Sequence, residues 1–84
     1  MTLKLEIMIK FAVHHCFDCL DYNEHYYFQT RAFAEEKFKQ LVDKIRNSGQ
    51  VCEVFTETKS EFYVQLCDGL EKVYIEQIKQ PWKN

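Results

Sequence analysis

The chain is short of the residues that loosen a polypeptide, with two glycines and one proline among 84 residues. That scarcity excludes a linker-rich or disordered chain. A large charge excess is missing too. A net charge of −2 and a pI of about 5.9 exclude the broad basic field with which a general nucleic-acid binder displaces counterions. No apolar run approaches the roughly 18 residues that span a bilayer, so no membrane partner is expected. The opening stretch "MTLKLEIMIKF" alternates apolar with charged residues and lacks the small-residue cleavage site of an export signal. The expected compartment is the cytoplasm, where the four cysteines would be reduced.

What the chain does have is aromatic side chains: seven Phe, five Tyr and one Trp, 15% of all residues. Each buries a large area, which helps a single short domain, residues 1–84, build a core. Leu3, Leu5, Ile7, Ile9, Phe11 and Val13 fall on every second position and predict a half-buried strand. "HYYFQT", from His25 to Thr30, predicts another, with Tyr26 and Phe28 opposite His25 and Tyr27. The segment between reads as a long polar hairpin loop from His14 to Glu24, with its turn at "DYNE".

Thr30 then suits an N-cap, and Ala34, Phe38, Leu41, Val42 and Ile45 form a helical stripe. Glu35 and Glu36 are expected near the first turn, with Glu35–Lys39 as i, i+4 support and Gly49 as the left-handed stop. The predicted helix spans Arg31 to Asn47. Beyond it the period returns to two. "QVCEVFTET" places Cys52, Val54 and Thr56 on one side and Val51, Glu53 and Phe55 on the other. "EFYVQLC" sets Phe62, Val64 and Leu66 against Tyr63, Gln65 and Cys67, so Cys52 and Cys67 are expected to face opposite sides. Asp68-Gly69 predicts a type I′ turn that would pair Val64 with Val73 and Phe62 with Ile75. The last strand runs to about Ile78, and residues 79–84 form a frayed tail. The expected fold is α+β: order ββαβββ, a mainly antiparallel sheet of about five strands, one helix packed on one face.

One helix covers one face. The other is expected to carry Met8, Tyr27, Phe55, Tyr63 and Tyr74 among mixed charges. Tyr and Met are enriched at protein interfaces, so this face predicts a binding surface for another protein or for a second copy. Asp18, Asp21 and Glu24, in the polar loop, are expected to join it. The lysines of that face are matched by glutamates, which makes nucleic acid an unlikely partner. It would bind, if at all, by base stacking on the sheet aromatics.

"HHCFDCLDYNEH" raises a metal site. Cys16 and Cys19 have the spacing of a thiolate pair, and His14 or His15 with His25 could complete a tetrahedron. Only one tight pair exists, however, and the core suffices to fold without metal, so the prediction is no metal and no cofactor. Cys16 or Cys19 beside a histidine could also form an activated thiolate. No glycine-rich phosphate loop, H-E-x-x-H or serine triad accompanies it, and catalysis is not expected.

In size, mild acidity and single-domain α+β layout, the chain resembles the small inhibitor proteins of phages and other mobile elements, the anti-CRISPR proteins among them. The resemblance covers the general style of the whole chain and transfers no functional residue. It implies a viral protein in the cytoplasm of an infected host, blocking a host defence nuclease or regulator by direct binding without a cofactor.

Overall fold

The computed structural model describes residues 10–17 and 22–78. They form β1 (Phe11–Phe17), β2 (Tyr22–Phe28), α1 (Arg31–Arg46), β3 (Val51–Glu57), β4 (Glu61–Leu66) and β5 (Gly69–Gln77). The strands make one open sheet in the order β2-β1-β5-β4-β3, antiparallel throughout. This is an α+β fold of order ββαβββ with α1 against one face. Among the described residues, no helix is long and apolar enough to cross a membrane.

The helix follows its local signals. Thr30 Oγ1 accepts from the Phe33 backbone N–H at 3.3 Å, and Ser48 Oγ donates to the Ile45 carbonyl at 2.7 Å. Gly49 turns the chain away at φ +74°, a conformation that glycine adopts without a Cβ clash. Ala34, Phe38, Leu41, Val42 and Ile45 are all buried. The first turn, however, holds no acidic residue. Glu35 instead bonds Arg31 one turn earlier, at 2.9 Å, in place of the expected Lys39.

Beneath the stripe, Val13, Phe62, Val64 and Val73 are fully buried. Phe11, Tyr26, Phe28, Val51, Leu66 and Ile75 pack around them. These residues alternate along their strands, so one parity of β1, β2, β4 and β5 faces the helix and the other parity faces away.

Three strand expectations are corrected. First, residues 14–17 and 22–24 are strand, not loop. β1 is paired on both sides, His15 opposing Glu24 on β2 and Val73 on β5. Such pairing satisfies backbone groups on both flanks and overrides the polar character of "HHC" and "YNE". The turn expected at "DYNE" is therefore corrected, since 22–24 are strand; residues 18–21, the expected strand positions 3–9 and the tail 79–84 lie outside the described residues.

Second, the β4–β5 turn centres on Cys67-Asp68. Leu66 pairs with Gly69, Val64 with Glu71 and Phe62 with Val73. Among the described residues no non-glycine has positive φ, so Cys67 and Asp68 cannot make the type I′ geometry. The slip is two residues in register, which preserves the faces but exchanges the partners.

Third, β3 does not alternate strictly. Its register shifts between Val51 and Glu53 and again between Val54 and Thr56, so Cys52 and Phe55 are the extra residues of two bulges. The first bulge carries Cys52 to the side of Cys67, and the two sulfurs lie 3.6 Å apart.

Phe62 has the largest of the fully buried side chains. Phe62→Ala should destabilise the fold by about 3–5 kcal/mol, measured by urea denaturation with an unchanged m-value.

Candidate functional site

The sheet face away from α1 carries rings on every strand. Phe55 on β3 meets Tyr63 on β4, centroids 5.2 Å apart. Lys72 on β5 lies over Tyr63 (5.7 Å) and over Tyr74 (5.0 Å). Tyr74 meets His14 on β1 at 4.8 Å, and His14 meets His25 on β2 edge-on at 4.9 Å. The result is a band crossing five strands, in which Lys72 bridges the Phe55–Tyr63 pair to the Tyr74–His14–His25 row. Tyr27 sits two residues beyond His25 on the same side of β2 and is 55% exposed; Phe55 is 45% exposed. Both are unusual for large hydrophobics in a sheet, where exposed positions are normally polar.

The band is held by hydrogen bonds. His14 Nε2 lies 2.7 Å from Glu76 Oε1, and His14 Nδ1 lies 2.7 Å from His25 Nδ1. A carboxylate only accepts, so His14 donates through Nε2, and one of the two Nδ1 atoms donates to the other. That chain fixes both ring orientations. Burial pushes the Tyr74 phenol above its ordinary range, Cys16 and Glu76 add to the shift, and Lys72 opposes it. Tyr74 thus presents a neutral hydroxyl. Its protonated form favours the fold, and that contribution is lost as pH rises above the ordinary phenol value of about 10.

The charges on this face lean acidic. Glu53, Glu61 and Glu76 stand against Lys72 and, by alternation from Phe11, Lys10; Lys72 pairs with Glu61 at 3.3 Å.

The expected site residues separate cleanly. Tyr27, Phe55, Tyr63 and Tyr74 come together on this face. Met8, Asp18, Asp21 and Cys19 lie outside the described residues. Glu24 is not on an exposed loop; it belongs to β2 on the helix side, where it bonds His15 at 3.3 Å and Tyr26 at 2.8 Å. The face also contains, as members of the band, His14, expected in the loop, His25, expected beside Tyr27 on its strand, and Lys72, expected only as background charge. The signal was present: period two continues through Phe11, Val13, His15 and Phe17, and through Glu24, Tyr26 and Phe28.

Of the metal candidates, His14, His25 and Cys16 share the open side of the β1–β2 hairpin. Among the described residues no group of three His, Cys, Asp or Glu side chains is arranged to hold a metal ion. Both nitrogens of His14 are already occupied by the His25–Glu76 chain.

On the other face, a cleft of about 530 Å³ opens between the C-terminal half of α1 and the sheet. Its floor is His15, 5% exposed, and Glu71, 8% exposed. His15 Nε2 bonds Glu71 and Nδ1 bonds Glu24. His15 thus bridges two carboxylates, one at each ring nitrogen. No buried side-chain N or O among the described residues lacks a partner. The cluster is therefore closed on itself and offers no vacant group to a ligand.

No protein-family model, curated protein or solved structure matches the chain.

Removing one member of the closed cluster strands the other. His15→Ala should destabilise by about 3–5 kcal/mol because Glu71 is left buried and unpaired, whereas His15→Leu/Glu71→Leu should recover most of that loss. Thermal and urea unfolding of the three proteins measure this, and a double variant weaker than the single would contradict it.

Proposed function

We propose that this protein is a small non-catalytic binding module that recognises another protein through the open sheet face. The observation that carries the proposal is the band from Phe55 to His25, two groups of touching rings bridged by Lys72 and flanked by exposed Tyr27. Rigid aromatic groups with polar tips supply contact area at small entropic cost and dominate the centres of interfaces. The rings are already ordered by one another and by the Glu76–His14–His25 chain, which reduces the ordering penalty on binding.

The charge balance indicates the partner's character. Glu53, Glu61 and Glu76 favour a surface rich in Lys or Arg. Lys72 lies over the Tyr63 and Tyr74 rings, so both already accept a cation of the chain itself. The same acidity disfavours nucleic acid, whose phosphates would meet the three carboxylates. No step requires catalysis, metal or cofactor. The resemblance to phage-borne inhibitors extends the proposal: in the cytoplasm of an infected host, the module would occupy the basic groove of a defence nuclease or regulator and exclude its ligand.

Capture from native-host lysate with the wild-type chain and with Tyr63→Ala/Tyr74→Ala side by side tests the reading. Proteins retained by the wild type should be lost from the double variant. Binding of a purified partner should weaken about tenfold or more per tyrosine, with circular dichroism unchanged. Identical capture by both chains would show that the face is structural.

A further inference from the structure

The Cys52 and Cys67 sulfurs are 3.6 Å apart, and both cysteines are exposed. Their backbones are held in place independently of the sulfurs: the Cys67 N–H donates to the Gln50 carbonyl at 3.1 Å. Both thiols also lie near that carbonyl oxygen, at 3.8 Å for Cys52 and 3.6 Å for Cys67. The bulge at Cys52 is what creates the pair. In a regular register Cys52 would alternate away from Cys67; the extra residue places it diagonally across from the turn. Bond formation needs the sulfurs to close to about 2.05 Å, a movement within reach of side-chain rotation at a bulge and a turn.

The hydrogen bond to Cys67 raises the Cys52 thiol above its ordinary range, with desolvation and the charge of a Cys67 thiolate adding to it. Either sulfur can attack first while the other resolves, and the same bond results.

We propose that Cys52 and Cys67 are a reversible redox pair, joined into an intramolecular disulfide by exchange with a low-molecular-weight disulfide of the glutathione type. One of the two thiols, Cys67 for instance, releases its proton and the thiolate attacks one sulfur of the small disulfide. The S–S bond of that molecule breaks, and one small thiolate leaves and takes up a proton. The Cys52 thiol then releases its proton and its sulfur attacks Cys67, expelling the second small thiolate, which is protonated in turn. Two protein thiols are oxidised, one small disulfide is reduced to two thiols, and protons balance. The new bond ties the bulged edge strand β3 to the β4–β5 turn. This inference stands on the sulfur geometry alone and does not depend on what the open face binds.

The test treats the full chain with oxidised glutathione under native conditions, quenches with acid, alkylates the remaining thiols and maps the proteolytic fragments. A fragment linking Cys52 to Cys67, lighter by two hydrogens and reopened by reduced glutathione, is expected. Amide exchange in Val51–Glu57 should slow on oxidation. Cys52→Ser should accumulate a mixed disulfide at Cys67, because the resolving thiol is gone. Glutathione adducts on both cysteines without a link would overturn the proposal. So would both thiols remaining alkylatable while Cys16 or Cys19 oxidises, or a link that forms only in denaturant.

Discussion

The packing of Phe62 and Val73 beneath the Ala34–Ile45 stripe decides which way the rest of the sheet points. These two side chains oppose each other across β4 and β5 and have no exposure. A strand offers alternate residues to alternate sides, so fixing one parity against the helix fixes the other parity away from it. Tyr63 and Tyr74 stand on the open side because Phe62 and Val73 stand on the closed one. The same rule runs through β1, where buried Val13 sends His14 outward, and through β2, where Tyr26 sends Tyr27 outward. The ring band is thus a geometrical consequence of the core rather than a separate structure.

Each face manages its polar groups in its own way. Under the helix, His15, Glu24, Glu71 and Tyr26 satisfy one another, which is the condition for keeping charge near a core. On the open side the Glu76–His14–His25 chain orders rings that remain partly in contact with water. Adjacent residues His14 and His15, identical in type, have opposite roles because the pleat separates them. The long axis of the sheet ends at β3, the edge strand, whose two bulges break regular pairing. Bulges of this kind discourage edge-to-edge association, and here one of them also brings two thiols together.

The sequence announced some of this more clearly than the rest, for physical reasons. The helix from Arg31 was legible almost to the residue, because Thr30, the apolar stripe and Gly49 act within a few positions of one another. Face assignments for Tyr27, Tyr63 and Tyr74 were legible because alternation is local too. The extent of β1 and β2 was not. His14, His15, Cys16 and Asn23 have loop-like composition; pairing with β5, more than fifty residues away, holds the first three in strand, and pairing with β1 holds Asn23. The β4–β5 turn was misplaced because Asp-Gly is a strong local signal that tertiary pairing overruled by two residues. Bulges leave no compositional mark, which is why the meeting of Cys52 with Cys67, and the turning of Thr56 to the side of Tyr63, could be found only in three dimensions.

The account rests on the open side of the sheet meeting solvent. Aromatic NMR resonances recorded with a soluble paramagnetic agent test that most directly. The ring signals of Tyr27 and Phe55, 55% and 45% exposed, should broaden strongly, while those of Phe62 and Phe38, at 0% and 8%, stay sharp. Protection of Tyr27 and Phe55 to the level of Phe62 would contradict the account, since the face would then be covered by the chain itself.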